Sequence, residues 1–189
     1  MKSTDSQKKS LRQELRAAGR ELSSQQRAAA SAAIVARLQA LIEQHPEWSG
    51  IASFIALPDE PDLAPLHSAM PGRRWCLPRI DADSPMHFHE FSATAGDQLV
   101  PGKFGLLQPD PQRHPIVPPD QISAILVPAA GLSPEGLRLG KGGGYYDRYL
   151  PQLARTVPKI GVVFEAQIRD QIPSEAHDCK VDYVITESR

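Results

Sequence analysis

Apolar positions along the chain switch between a helical and an extended rhythm, and the switches lay out the elements. Over residues 5–19, Leu11, Leu15 and Ala18 share one face while Lys8, Lys9, Arg12, Arg16 and Arg20 fall mostly on the others, so the spacing predicts an amphipathic helix. Ser23 with Gln26 three places on has the form of a capping box. It opens a second, alanine-rich helix through Ile34, Leu38, Leu41 and Ile42 that ends before Pro46, so two helices precede the first strand.

Residues 51–57 read as a buried strand, closed by Pro58 and Pro61, and a short helix is expected over 63–70. Residues 73–77 supply a second strand, 86–91 alternate like a third, and 122–127 form a strongly apolar fourth. The proline-rich stretch 97–120 predicts irregular structure. A strand over 159–164, a short helical piece near Gln167 and a last strand over 181–186 complete the pattern. Strands alternating with helices argue for an α/β fold with a mainly parallel sheet flanked by helices. Ligands of such sheets lie beyond the carboxyl ends of the strands, which directs attention to the segment after Val127. Asp178 falls at the entering end of the last strand, on the opposite side by this reading.

A length of 189 residues suits one domain spanning 1–189. Its 21 basic and 22 acidic residues leave no global field of the kind that gathers nucleic acid or anionic membrane, so any anion binding must be local. No apolar run approaches membrane-spanning length, and the polar start at Met1 to Asp5 lacks a signal-peptide core, so a cytoplasmic protein is expected. Cys76 and Cys179 are too few for a disulfide framework and are expected as reduced thiols. His87 and His89 share a strand face, but no third residue has zinc-ligand spacing, and a structural or solvent role is expected.

The richest chemistry lies in residues 138–150, Arg-Leu-Gly-Lys-Gly-Gly-Gly-Tyr-Tyr-Asp-Arg-Tyr-Leu. Gly140, Gly142, Gly143 and Gly144 allow successive backbone N–H groups to converge on an anion, and Arg138 and Lys141 add full positive charge. From Gly144 onward a helix start is predicted, with Tyr145, Tyr149 and Leu150 on one face and the helix N-terminus adding to the attraction. Asp147 would repel a phosphate unless a divalent cation lay between them, which implies magnesium. A Walker loop is excluded because Gly142, not Ser or Thr, follows Lys141, and a dinucleotide fingerprint from Gly140 would need glycine at Tyr145. Taken alone, the glycine triplet reads equally as a flexible turn before an ordinary helix.

The arrangement RLGxGxGYYDRxL resembles the signature of 5-formyltetrahydrofolate cyclo-ligases, also called methenyltetrahydrofolate synthetases, and weaker features along nearly the whole chain agree with it. The resemblance implies a fold similar to that of sugar-phosphate isomerases and CoA transferases, with two N-terminal helices. Lys8 and Arg12 match the family's N-terminal KxxxR pattern and are implied ATP contacts, although charges on a first helix are by default its solvated face. The glycine segment, Arg138, Leu139, Gly140, Lys141, Gly142, Gly143, Gly144, Tyr145 and Tyr146, is implied to bind ATP. Arg138 and Lys141 would carry catalysis. Glu60, otherwise a solvent-facing turn residue, is implied to hold the pterin, with Ile55 as an apolar contact. Leu63 stands where the family often has threonine. Phe104, in an aromatic-then-Gln108-Pro109 segment, is implied to wall the folate, and Tyr145 stands at the junction of the two ligands. His177-Asp178 resembles the start of the family's HDxxVD element, which implies Asp178 as the partner of Asp147 in holding magnesium.

The activity implied is ATP- and magnesium-dependent closure of 5-formyltetrahydrofolate to 5,10-methenyltetrahydrofolate, with ADP and phosphate released. The partners would be small molecules only, with no nucleic acid and no membrane, and the protein a monomer or weak homo-oligomer. Two other readings stand beside it: a sugar-phosphate isomerase-like enzyme, and a folate- or nucleotide-binding protein without turnover.

Overall fold

The structure, a computed structural model, describes residues 4–81, 85–92, 99–102, 105–175 and 178–189. Two helices come first, α1 (Thr4–Glu21) and α2 (Ser24–Glu43). At the start of α2 the Ser23 hydroxyl accepts the Gln26 N–H at 3.2 Å while the Gln26 side chain accepts the Ser23 N–H at 2.8 Å, the reciprocal box expected from the sequence.

Among the described residues the remaining strands and α-helices are β1 (Gly50–Ala52), α3 (Ala64–Ala69), β2 (Arg74–Arg79), β3 (His87–Phe91), β4 (Leu99–Pro101), β5 (Leu107–Pro109), β6 (Ile116–Val117), β7 (Ala124–Pro128), β8 (Gly131–Leu132), β9 (Arg138–Leu139), α4 (Tyr145–Tyr149), β10 (Lys159–Val162) and β11 (Tyr183–Ile185), with short 3-10 turns at Pro119–Gln121, Leu150–Gln152 and Glu165–Gln167. Seven strands form the central sheet in the order β11-β10-β7-β1-β2-β3-β6. The five from β11 to β2 run parallel, and β3 and β6 are antiparallel additions at one edge. Two small antiparallel pairs, β4 with β5 and β8 with β9, stand apart from it.

β7 shows why its sequence is apolar throughout. Ile125 and Val127 enter a core with Cys76, Phe88, Tyr149 and Leu150 on one face, while Ala124 and Leu126 meet Ile34, Leu38 and Trp75 on the other. A strand buried on both faces has no polar side to alternate with. α2 and α3 cover the second face, α4 packs on the first, and α1 docks through Leu15 on Ala130, Leu139 and Ile172.

Three expectations need correction. The strand foreseen over 51–57 is ordered as β1 for only three residues, and the chain then leaves the sheet through a turn that sinks Asp59 and Glu60. The stretch 97–120, read as irregular, contains β4, β5 and β6 among its described residues. The last strand is shorter than 181–186, and α4 has only five residues, so its dipole is small and attraction for anions must come mainly from side chains and local N–H groups.

Cys76 is buried and Cys179 half-buried, both free thiols, and burial pushes the Cys76 thiol up to about 12. His89 is buried with Nδ1 2.7 Å from the His114 carbonyl, a structural role, whereas His87 is exposed. Arg73, Arg74 and Arg79 donate to backbone carbonyls, Gln121 and Asp81. No helix among the described residues is long and apolar enough to cross a membrane.

Candidate active site

The glycine segment leaves β9 and turns into α4. Gly142 and Gly144 take up positive φ, +98° and +66°, conformations that an L side chain resists, and Gly144 is the residue from which α4 starts. That turn explains the glycines locally: the chain must reverse tightly between Leu139, which is anchored in the core, and Tyr149, which is anchored on the sheet.

α1 ties this turn to the C-terminal segment. Lys8, buried despite its charge, places Nζ 2.6 Å from Asp178 and 2.7 Å from Glu175. Burial lowers the lysine pKa, but the two carboxylates outweigh it and the net direction is upward. One helical turn further, Arg12 donates from Nε to the Gly140 carbonyl at 2.8 Å. Val181 N–H reaches the Gly136 carbonyl at 2.9 Å, so the approach to the last strand lies alongside the approach to the glycine turn. Thus Asp178, placed by the sequence at the far end of a strand, is tied to the same helix as Gly140.

Lys141 reaches across to the turn after β1. Its ammonium lies 2.9 Å from Asp59 and 2.8 Å from Glu60, carboxylates 82 and 81 positions earlier whose side chains are almost wholly shielded from solvent. The two carboxylates respond in opposite directions. Burial raises both, but at Asp59 the hydrogen bond and charge of Lys141, joined by Arg16 at 3.1 Å, more than reverse it and hold the group below the usual range. At Glu60 burial prevails over Lys141 and over the Leu57 N–H that its other oxygen accepts at 2.7 Å, and the group titrates above the usual range.

Arg138 is nearly buried and forms an ion pair with Asp147. Its Nε has no partner, nor does the buried hydroxyl of Tyr146, whose acidity is suppressed first by burial and then by the Glu60 charge. Tyr145 is half-buried with the Arg148 guanidinium 5.2 Å from its ring centroid. Ile55 and Glu60 line a cleft of about 730 Å³ between α2 and the turn after β1, together with Ser31, Val35, Pro58 and Pro65. That is ample for a flat heterocycle, for which ligand pockets typically run ~300–1,000 Å³.

The structure thus brings Lys8, Arg12, Gly140, Lys141, Glu60 and Asp178 into one connected set of contacts through α1 and the turn after β1. Phe104 and His177 lie outside the described residues. Glu60 is buried rather than solvent-facing, and no local pattern shows this because the cation that pairs with it, Lys141, is remote in sequence. Three participants had no signal of their own in the sequence reading: Asp59, Arg16 and Gln167. Gln167 is fully buried, and its Nε2 lies 3.3–3.4 Å from the carbonyls of Leu15, Asp59 and Ala130.

Magnesium fits the donor chemistry in a limited way. Asp147 and Asp178 each carry carboxylate oxygens now neutralised by a cation, Arg138 and Lys8 respectively. Among the described residues no group of three or more His, Cys, Asp or Glu side chains forms a metal cage. One or two carboxylates completed by substrate phosphates is how magnesium is commonly held, so the residues suit an ion that arrives with a nucleotide.

A model of the 5-formyltetrahydrofolate cyclo-ligase family matches residues 4–187. A 5-formyltetrahydrofolate cyclo-ligase from Mycolicibacterium smegmatis is 41% identical over 91 residues, 48% of this chain and 47% of that protein, so the match spans about half the relative's length. The Mus musculus cyclo-ligase is 28% identical over 194 residues, covering 97% of this chain and 95% of its own. The solved structure of 5,10-methenyltetrahydrofolate synthetase from Aquifex aeolicus superposes with a TM-score of 0.83 at 28% identity, over 96% of this chain and 90% of that one. The agreement in fold extends over the sheet and the two N-terminal helices alike, and the family model takes in α1 together with Asp178. The chain belongs to the 5-formyltetrahydrofolate cyclo-ligase family.

Proposed function

We propose that this protein closes 5-formyltetrahydrofolate to 5,10-methenyltetrahydrofolate at the expense of ATP, releasing ADP and phosphate. The observation that carries the reading is the Lys141 ammonium, which leaves the glycine turn and is gripped by Asp59 and Glu60 beside the cleft that Ile55 lines. It joins an anion-binding turn to a pocket suited to a flat heterocycle.

The oxygen of an N-formyl group is amide-like and a poor leaving group, so the formyl carbon must be activated. In this reaction that oxygen attacks the γ-phosphorus, ADP departs, and a phosphorylated imidate-like intermediate forms. Nitrogen 10 then attacks the activated carbon, its proton is lost, and the original formyl oxygen leaves within phosphate.

Phosphoryl transfer of this kind asks a protein for alignment and charge stabilisation more than for covalent chemistry. Arg138 and Lys141 carry the positive charge suited to the phosphoryl oxygens, and Gly142, Gly143 and Gly144 have no side chains of their own to keep an anion from the backbone. An ammonium has three donors; with two engaged by Asp59 and Glu60, one remains for an incoming phosphoryl oxygen. Lys8 and Arg12 lie along α1 where they bear on the rest of the nucleotide, with Leu139, Gly140 and Tyr146 completing that side and Tyr145 at the junction. Glu60 in its buried turn is suited to the polar edge of a pterin, with Ile55 as an apolar contact in the same cleft and Phe104 proposed as a further folate contact. Asp147 and Asp178 would hold magnesium, which when bound to ATP offsets phosphate charge and orients the transferring group.

The same reading makes the protein a single domain over 1–189, cytoplasmic, acting on small molecules as a monomer or weak homo-oligomer. Its free cysteines and near-balanced charge support this. Replacing Lys141 by Ala tests the assignment: turnover should fall by ~100-fold or more, the usual scale for a donor to developing charge. Turnover close to that of the parent would overturn the role.

A further inference from the structure

The carboxylate of Asp59 is held by cations from two separate parts of the chain, Lys141 of the glycine segment and Arg16 on α1. It is wholly buried, and one oxygen, Oδ2, is 2.9 Å from Lys141 Nζ and 3.1 Å from Arg16 Nε. Its other oxygen makes no hydrogen bond, with Arg20 Nη2 at 3.9 Å. The backbone is fixed as firmly: the Asp59 carbonyl lies 3.3 Å from Gln167 Nε2, which also reaches the carbonyls of Leu15 and Ala130. Gly19 lets α1 come close here, since a Cβ on it would stand 3.1 Å from both the Asp59 carbonyl and Gln167 Nε2. Burying a carboxylate this completely is costly unless it is paired and hydrogen-bonded. What its side chain holds is Lys141 on one side and α1 on the other.

Glu60 grips the same ammonium but lines the cleft, whereas Asp59 is not among the cleft's lining residues. When a pterin engages Glu60, the lysine loses part of one anchor and keeps the other. We propose that Asp59 is a positioning residue for ring closure: it fixes the Lys141 ammonium beside the glycine turn while Glu60 is committed to the folate. This rests on the cyclo-ligase reading given above. Arg16 and Arg20 serve Asp59 from the solvent side, neutralising the charge without competing for the phosphate.

The test is a double-mutant cycle of Asp59→Asn and Lys141→Ala, with kcat and KM for 5-formyltetrahydrofolate measured in each protein and folding checked by thermal unfolding. Asn keeps the size and an acceptor but removes the charge. Asp59→Asn should lower kcat by ~10–100-fold, a share of the effect of removing the donor itself, with KM for the folate within a few-fold. In the Lys141→Ala background the same change should lower kcat by less than two- to three-fold, because the residue it acts through is gone. Normal kcat in folded Asp59→Asn, or losses that multiply in the double variant, would overturn the proposal. Failure of the cyclo-ligase reading looks different, since the parent enzyme would then form no methenyl product.

A second measurement keeps the question open to refutation if Asp59→Asn does not fold. The side-chain ¹⁵N resonance of Lys141 should remain resolved and slowly exchanging in Glu60→Gln, because Asp59 alone still holds the ammonium. Collapse of that signal to the behaviour of a free surface lysine would show that Glu60, not Asp59, is the anchor.

Discussion

Lys8 and Asp178, 170 positions apart, meet Nζ to Oδ2 at 2.6 Å. The contact ties the first turns of the chain to its C-terminal segment, and it holds a candidate phosphate ligand against a candidate magnesium ligand before any nucleotide arrives. Each neutralises the other's charge in the free protein, and on the proposed cyclo-ligase reading each would turn to its own partner, phosphate or magnesium, when the nucleotide binds.

Lys8→Ala should therefore raise KM for ATP by roughly 10–150-fold, since a charge-assisted hydrogen bond contributes ~1.5–3 kcal/mol and each 1.4 kcal/mol is a factor of ten. Steady-state kinetics against ATP check this. A lower unfolding temperature with unchanged KM would mean that the pair only staples the termini.

Asp147→Asn should shift the magnesium dependence rather than abolish folding. Loss of one carboxylate is expected to raise the magnesium needed for half-maximal rate by at least ~10-fold, as tight octahedral binding depends on few protein oxygens. Titrating turnover against magnesium at saturating ATP reads it, and an unaltered titration would remove Asp147 from the metal.

At Gly142 a methyl group would meet nothing closer than Arg12 Nε at 3.9 Å, yet φ is +98°. Gly142→Ala thus isolates backbone strain from crowding, and should cost roughly 1–2 kcal/mol in stability. Gly144→Ala has similar strain at φ +66° and in addition brings a Cβ within 2.5 Å of an Arg148 nitrogen. Because that nitrogen is the mobile end of a side chain, the two variants should lose similar stability by denaturant unfolding. A much larger loss at Gly144 would make the Arg148 position structural.

Asp59 and Glu60, adjacent in sequence, should pull stability in opposite directions with pH. The Asp59 pKa is lowered in the folded protein, so its contribution is present above the unfolded value near 3.8 and fades as pH falls through the depressed folded value. The Glu60 pKa is raised, so its protonated form favours folding below the unfolded value near 4.5, and that contribution is lost as pH rises through the elevated folded value. Asp59→Asn should flatten the acid limb of the stability profile, and Glu60→Gln the fall above pH 4.5. Parallel profiles for both variants would contradict the assignment of the shifts.

How much of this was legible in the sequence follows from how local each signal is. The capping box at Ser23 and Gln26 involves neighbours three residues apart, and it appears as read. The apolar run through β7 announces a strand buried on both faces. Strand direction is another matter: Phe88 and its neighbours alternate in the same way whether β3 runs with β2 or against it. Asp59 is the clearest case of a hidden participant. In a Pro-Asp-Glu-Pro turn it reads as solvent-exposed, and only the arrival of Lys141, 82 residues on, together with α1 folding back over it, makes its burial affordable. Lys8 is named through the KxxxR resemblance, but its burial is hidden likewise, because its surroundings are decided by Glu175 and Asp178.

The central claim is tested most directly by the near-ultraviolet absorbance of methenyltetrahydrofolate after the purified protein is mixed with 5-formyltetrahydrofolate, magnesium and ATP, beside samples lacking either ATP or magnesium. Growth of the band in the complete mixture alone, with one ADP released per folate closed, is the expected result. A flat trace in the complete mixture, from protein that is folded and binds both ligands by calorimetry, would contradict it.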